Sequence, residues 1–188
     1  MAENRVEFGI AELHIASYAF DGTDVTIGTP KALPGAVSFE TDVSTTQVDF
    51  YADNIAYYSE ISEGSTTATL EVAKFPDWFK KEYLGYRETT DGALAKPVRP
   101  RRNQFVLMFT GDGDATETRH IYFNCRPGPI ERTHATNTES KTIETESVEL
   151  TIIGTEDTGI SHLAYLKENA AYDGLKTAIP VPAWPVEP

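Results

Sequence analysis

Residues 32 to 73 carry seven acidic side chains and no Lys or Arg. A run of like charge is usually solvated or disordered, but hydrophobic residues such as Phe39, Leu70 and Val72 interrupt this one. The stretch is therefore predicted to be folded. Because a concentrated negative surface costs self-repulsion, we interpret it as a surface that repels something. The seven acids are Glu40, Asp42, Asp49, Asp53, Glu60, Glu63 and Glu71.

Length and charge restrict the class of protein. A chain of 188 residues predicts one domain, with or without an appended arm. The net charge is −13, from 29 acidic against 16 basic residues. That balance argues against tight binding to DNA or to anionic membranes, since both need a cationic surface. It is compatible with DNA as a passenger that must not stick.

Three absences bear on location. Cys125 is the only cysteine, which excludes an intrachain disulfide and fits a reducing compartment. The beginning of the chain, MAENRVEFGI, has no basic region followed by an apolar core, so no secretory signal is expected. No window approaches the roughly 20 apolar residues that span a bilayer. We expect a soluble chain made in a cytoplasm, with no membrane partner.

Alternation of apolar and polar residues predicts the main strands. In Ser65–Lys74, Ala68, Leu70 and Val72 share one face, opposite two threonines and a glutamate. The segment 142–153 alternates in the same way. A hairpin is predicted from 104–110 and 119–125 across a Gly-Asp-Gly-Asp turn at 111–114. Further strand candidates are 13–20 and 36–46.

The remaining segments complete the predicted fold. Residues 47–64 are either a strand pair or a long extended loop. The segment Pro76–Leu84 predicts a helix, because an apolar stripe of Phe75, Phe79 and Tyr83 follows helical spacing and Gly85 provides a stop. Residues 161–172 are a candidate short helix, and the proline-rich end from Pro180 predicts an extended arm.

The predicted fold class is mainly β. We expect an antiparallel β-sandwich or partial barrel with one short α-helix at about 76–84, a long loop and an extended C-terminal arm. The expected organisation is a β-sandwich domain over 1–160 and a C-terminal extension over 161–188.

No motif predicts catalysis, a cofactor or a metal. The Gly-Asp-Gly-Asp turn does not match a calcium loop, since the Gly and Glu that such a loop needs are missing. His120 and Cys125 are five residues apart on a presumed strand and are expected on opposite faces. Paired strand carboxylates meet the spacing of a glycosidase trivially, so we interpret them as solvated residues.

The sequence KPVRPRR contains the only basic cluster. One interpretation is a solvated, proline-rich linker. The other is a cationic patch that docks on an acidic neighbour and offsets repulsion between identical copies. Both interpretations stay open. DNA binding is less favoured than either, because four charges in one loop cannot outweigh the acidic residues of the rest of the chain. The cluster consists of Lys96, Arg99, Arg101 and Arg102.

Several segments resemble one protein family. LPGAVSFETDVS, YADN at 51–54, TTATLEVAKFPDWFKKEYLG and ESVELTIIGTED are similar to the major tail protein of long, non-contractile-tailed bacteriophages. The likeness covers most of residues 5–157. It implies a β-sandwich subunit with one helix, six of which close into a ring. Stacked rings form a tail tube, whose negatively charged lumen lets double-stranded DNA slide through.

The resemblance also implies partners and candidate residues. The partners are further copies of the chain, tape-measure, tail terminator and distal tail proteins, and double-stranded DNA as a passenger. The expected location is the virion, after assembly in the host cytoplasm. Candidate lumen-facing acids are Glu40, Asp42, Glu71, Glu144, Glu146 and Glu149. Candidate ring-stacking residues are Asp49, Tyr51, Asp53, Tyr57, Tyr58, Glu60 and Glu63, with a further contribution from the arm.

Two alternatives stay open. A carbohydrate-binding β-sandwich, with or without weak hydrolase activity, would use Tyr57, Tyr58 and Trp184 as stacking platforms. A tube protein of a contractile injection or secretion machine would share the ring architecture.

Overall fold

The computed structural model describes residues 9–52, 55–113, 116–132 and 144–185; for 50–52 and 55–57 it describes the backbone alone. The α-helix α1 is Asp77–Glu82, and a 3-10 helix covers Tyr172–Lys176. The strands are β1 Gly9–Phe20, β2 Val25–Ile27, β3 Lys31–Ala32, β4 Ala36–Ala52, β5 Ile55–Val72, β6 Arg87–Glu88, β7 Leu94–Ala95, β8 Phe105–Asp112, β9 Arg119–Arg132, β10 Glu146–Ile152 and β11 His162–Tyr165.

Nine strands form one antiparallel sheet in the order β2-β1-β8-β9-β10-β5-β4, with β3 beside β1 and β11 beside β9. The long strand β9 joins two halves. Its first part pairs with β8 and β11, and its second part pairs with β10. The sheet curls until β1 contacts β4. The predicted mainly β architecture with one short helix is confirmed.

A bulge at Asn124 marks the junction within β9. Asn124 is fully buried with a φ of 49°, and two residues of β9 there oppose one of β8. The extra residue reverses the alternation, so Phe123 faces one core and Cys125 the other. The expectation that His120 and Cys125 face opposite sides is therefore wrong: the ring centroid of His120 lies 5.4 Å from that of Phe109, which shares a core with Cys125.

Two hydrophobic cores lie on opposite sides of the half of the sheet that contains β1, β8 and the first part of β9, hereafter called the first half-sheet. The half that contains the second part of β9 with β10, β5 and β4 is called the second half-sheet. The first core lies inside the curl and includes Leu70, Leu107 and Leu150. The second core lies on the outer side and includes Met108 and Leu175. Strand β8 is buried on both faces, which is why its sequence reads as an apolar run and not as a simple alternation.

The helix α1 closes one end of the first core. Phe75, Phe79 and Tyr83 are buried there, as their spacing predicted. The helix is shorter than the predicted 76–84, because Pro76 and Tyr83 are its flanking caps. Gly85 follows with a φ of 72°, and a Cβ at this position would lie 2.4 Å from the carbonyl oxygen of Arg101. The glycine thus allows the loop that contains the basic cluster, hereafter called the basic loop, to pass the end of α1.

Residues 47–52 and 55–64 form a strand pair and not a loop. They belong to β4 and β5, which are 17 and 18 residues long and stay paired from Ala36↔Val72 to Ala52↔Ile55. The half of the pair that comprises residues 36–43 and 65–72 packs on the first core. The outer half, residues 44–52 and 55–64, is hereafter called the ribbon. At about 3.3 Å per residue it extends roughly 30 Å.

The C-terminal segment, residues 160–185, lies against the outer side of the first half-sheet. Ile160, Leu175 and Ile179 are buried in the second core. The candidate helix at 161–172 is wrong, since residues 162–165 form β11. Arg119 holds the segment: its guanidinium is buried, donates to the carbonyl of Tyr172 at 2.8 Å and lies 4.0 Å from the ring centroid of the same tyrosine.

Candidate interaction surfaces

The outward side of β4, β5 and β10 forms an acidic face. Register places Glu40, Thr69 and Glu149 in one row across the three strands. The next rows are Ser38, Glu71 and Ser147, and Asp42, Thr67 and Thr151. Each acid has hydroxyl residues as its direct cross-strand partners, which keeps like charges on neighbouring strands apart and limits self-repulsion.

Four of the six candidate lumen acids meet on this face. Glu40, Asp42 and Glu149 are exposed, and Glu71 is half-buried. Glu71 accepts a hydrogen bond from Ser38 at 3.1 Å and another from Thr145. The fifth candidate, Glu144, is exposed just before β10 begins.

Glu146 differs from the other five. The prediction that it lies on the outward side is wrong, because it is buried and points inward. Its carboxylate accepts from the backbone N–H of Phe75 at 2.9 Å, lies 3.3 Å from Nζ of Lys80 and pairs with Arg132. Burial lowers the pKa of Lys80. This acid fastens the helix to the sheet.

Two charged residues of the acidic face were missed. Glu131 pairs with Ser147 in the register of β9 and β10, which adds an acid to the face. Arg126 pairs with Thr151 and adds a cation at the opposite end. A bulge around Gly128 separates the two, since Val148 pairs with Ile130 but Leu150 pairs with Pro127. Alternation alone does not predict such a shift.

The ribbon is exposed on both sides. Its first face carries the pairs Thr45↔Glu63, Gln47↔Ile61 and Asp49↔Ser59, and its second carries the pairs Thr46↔Ser62 and Val48↔Glu60 together with Tyr58. Apolar side chains are exposed on each face: Ile61 is 68% accessible, Val48 57% and Tyr58 53%.

Hydrogen bonds between side chains stiffen the ribbon. Asp49 accepts from Ser59 at 2.6 Å and from Gln47 at 3.0 Å. The Ser59 bond, followed by the Gln47 bond, lowers the pKa of Asp49. On the second face Tyr58 donates to Glu60 at 2.8 Å, which raises the pKa of the phenol. Of the other ring-stacking candidates, Tyr51 and Tyr57 have only their backbones described, and Asp53 lies outside the described residues.

The basic loop borders two clefts. Lys96, Arg99, Arg101 and Arg102 are all exposed. The larger cleft, about 970 Å³, is lined by Arg101 and Arg102 together with the end of α1, the end of β1 and the middle of β9. It is hereafter called the basic cleft. Its further charged residues are Lys81, Arg126 and one acid, Glu82. A smaller cleft of about 280 Å³ contains Arg87 and Arg99.

Two histidines come together where β9 and β11 pair. Nδ1 of His120 lies 3.1 Å from Nε2 of His162, and the rings stack with centroids 5.3 Å apart. Burial, followed by the charge of His120, lowers the pKa of His162. Burial also raises the pKa of the Cys125 thiol. In 9–52, 55–113, 116–132 and 144–185, no three His, Cys, Asp or Glu side chains are arranged to hold a metal.

The aromatic residues of the carbohydrate alternative lie on different elements. Trp184 donates from its indole N–H to the carbonyl of Thr158 at 3.0 Å. Tyr58 lies on the ribbon. Over the described part of the chain, no helix has the length and apolar character to cross a membrane.

Comparisons with known proteins give a fold and no family. No family model and no curated protein match the chain. A chain of the sheath/tube terminator of an extracellular contractile injection system (PVC) in its extended state has a TM-score of 0.50 and 11% identity, covering 86% of this chain and 99% of that one.

Two other similar structures have lower TM-scores. A chain of the anti-feeding prophage tube-terminating cap has a TM-score of 0.48 and 11% identity, over 88% of this chain and 96% of that one. A chain of the PVC sheath-tube complex has a TM-score of 0.45 and 12% identity, over 82% and 88%. The similarity to the terminator chain indicates that it and this chain share a fold.

Proposed function

We propose that this chain is a structural tube protein. Identical copies join side by side into a ring, rings stack into a tube, and the acidic face lines the bore. The observation that carries the proposal is the asymmetry of the second half-sheet: one side of β4, β5 and β10 packs on the first core, and the other presents acids separated by hydroxyls.

Free strand edges support ring closure. Within the described residues, β4 has no hydrogen-bonded strand on its outer side, and residues 126–132 of β9 have none opposite β10. Exposed edges invite pairing with another chain. β4 and β9 run in opposite directions across the half-sheet, so side-by-side copies meet as antiparallel edges. Pro127 and Pro129 have no N–H, so the β9 edge contributes fewer donors than β4.

The ring of six copies that the sequence resemblance implies would be wide enough to enclose a channel. Six copies of a half-sheet made from β9, β10, β5 and β4 give about 24 strands, and barrels of 16–18 strands already enclose an aqueous channel. Acids facing that channel act over about 8 Å at physiological salt. DNA phosphates passing through would be repelled from the wall and would not bind it. The lining acids in this proposal are Glu40, Asp42, Glu71, Glu149 and Glu131, with Glu144 at the rim.

The ribbon supplies contacts between copies. An isolated two-stranded hairpin is marginal in water, and this one exposes Val48, Tyr58 and Ile61. Burial of those side chains against another copy would stabilise it. We assign it to contacts between stacked rings, with further contacts from the end of the chain beyond Pro180. The role is structural, without catalytic residue, metal or cofactor.

Negative-stain electron microscopy of the purified chain tests the proposal. Rings or tubes with a central channel are expected as the concentration is raised. A strict monomer at millimolar concentration would overturn it. If tubes form, replacing Glu40 and Asp42 with glutamine should leave assembly intact, whereas replacing them with lysine should make the tubes retain double-stranded DNA on a filter.

Two kinds of machine fit the proposal. The sequence resemblance is to the tail tube of non-contractile-tailed phages, with tape-measure, terminator and distal tail proteins as partners and genome ejection as the process. The structural similarity is to a chain from a contractile injection system, which favours that machine as a second candidate. Microscopy of particles from producing cells separates the two, because a contractile machine carries a sheath around its tube.

A further inference from the structure

The basic cleft combines positive charge with an apolar wall. Arg101, Arg102 and Arg126 are exposed around it, and Phe20, 38% accessible, contributes an apolar side chain. Lys81 also lines it but is paired with Glu88. In a chain with a net charge of −13, a concentration of arginines next to an exposed aromatic ring is typical of a surface that binds an acidic partner.

The first face of the ribbon has the complementary character. Asp49 and Glu63 lie on either side of Ile61, which is 68% accessible. The ribbon contains no Lys or Arg. On β4 this face continues the side of Phe39, which packs against the first core. It therefore points away from the acidic face, which lines the bore in the proposed tube, and can contact a neighbouring copy.

Topology brings these two surfaces to the same contact between adjacent copies. The basic cleft includes Arg126 and Pro127, where the unpaired edge of β9 begins. β4 leaves the core and becomes ribbon at Val43, at the same end of the half-sheet, since Val43 pairs with Thr66 and Thr66 pairs with Ile152, the partner of Cys125. A neighbour's β4 laid antiparallel along the β9 edge therefore carries its ribbon across the cleft.

We propose that the basic cleft of one copy receives the ribbon of the adjacent copy in the same ring, with Arg101 and Arg102 facing Asp49 and Glu63 and with Ile61 against Phe20. This inference rests on the proposed function, because it requires copies to meet at their β4 and β9 edges. It adds the partner of the basic loop and gives the ribbon a contact within the ring. The contact offsets repulsion between copies that are each strongly negative.

Charge reversal tests the pairing. The cleft variant carries Arg101→Glu and Arg102→Glu, and the ribbon variant carries Asp49→Lys and Glu63→Lys. Each is expected to raise the concentration needed for assembly about tenfold or more, because favourable charge contacts at two positions are replaced by repulsive ones. A chain with all four changes keeps the wild-type net charge and should assemble at close to the wild-type concentration. Sedimentation velocity and electron microscopy measure assembly, and circular dichroism confirms folding.

A matched control separates the cleft from bulk charge. Arg87→Glu with Lys96→Glu makes the same charge change outside the basic cleft, and it should shift assembly far less. If the cleft variant assembles like the wild type, or the fourfold variant is not rescued, this inference fails while the tube proposal stands. A wild-type chain that stays monomeric overturns both. Loss of double-stranded DNA binding by the cleft variant with unchanged assembly would assign the cleft to nucleic acid and overturn the pairing.

Discussion

The two halves of the β4–β5 pair share one ladder but have different surroundings. In the half that packs on the first core, Leu70 and Val72 are fully buried, and threonines and acids occupy the other side. In the ribbon, Val48 and Ile61 are exposed and no core lies behind either face in the described residues. The same backbone hydrogen-bonding pattern therefore rests on two different sources of stability.

The difference shows where the chain's own fold ends and where assembly begins. Backbone pairing contributes little net stability against water, so the inner half is stabilised mainly by burial of apolar side chains. Ordering the ribbon also costs conformational entropy, but no comparable burial of apolar side chains offsets that cost. Its exposed apolar residues are consistent with an element that is completed by a second copy of the chain.

The largest contrast is expected between Leu70→Ala and Ile61→Ala. Both shorten an apolar side chain on β5, nine positions apart. Leu70→Ala should lower the free energy of unfolding of the dilute subunit by about 3–4 kcal/mol, because it leaves a cavity in the first core. Ile61→Ala should change it by less than about 0.5 kcal/mol but should raise the concentration needed for assembly. Urea denaturation and sedimentation velocity give the two quantities.

This pair of variants can also contradict the difference between the two halves of the β4–β5 pair. If Ile61→Ala destabilises the dilute subunit as strongly as Leu70→Ala, the ribbon packs against the rest of its own subunit in solution. Unchanged assembly of Ile61→Ala would instead remove the ribbon from the contacts between copies.

A smaller contrast is expected between two acids of β10. Glu146→Gln should cost about 2–3 kcal/mol, because Lys80 stays buried next to a neutral amide that no longer balances its charge. Glu149→Gln, on the exposed side of the same strand, should stay within about 0.5 kcal/mol. Thermal or urea unfolding of the dilute subunit measures both. Equal effects would contradict the buried position of Glu146 and the exposed position of Glu149.

Sequence reasoning succeeded where one local pattern decides the outcome. The stripe of Phe75, Phe79 and Tyr83 predicted the buried side of α1, and alternation predicted the inward set of β5. Glu146 was misplaced although it has the same parity as Val148 and Leu150. Its charge suggested an outward side chain, whereas Lys80 and Arg132, far away in sequence, provide the partners that allow burial.

Other features depend on contacts that no local pattern contains. The second core exists because residues 160–179 return to cover Val106 and Met108. The bulge at Asn124 reverses the alternation of β9. Arg126 and Lys81 join the basic loop across long sequence separations. The acidic face could be predicted in four of its members, but the basic cleft required the three-dimensional structure.

The smallest expected effect concerns the side-chain bonds of the ribbon. The folded pKa of Asp49 is lowered by hydrogen bonds from Ser59 and Gln47, so these bonds stabilise the ribbon above the unfolded pKa and are lost as pH falls through the folded pKa. Ser59→Ala should raise the pKa of Asp49 toward its ordinary value, as followed by an NMR titration of the carboxyl carbon. Ser62→Ala, on the second face, is the control and should leave that pKa unchanged. If Ser59→Ala also has no effect, the two strands of the ribbon do not stay paired in the dilute subunit, and the ribbon forms only when copies assemble.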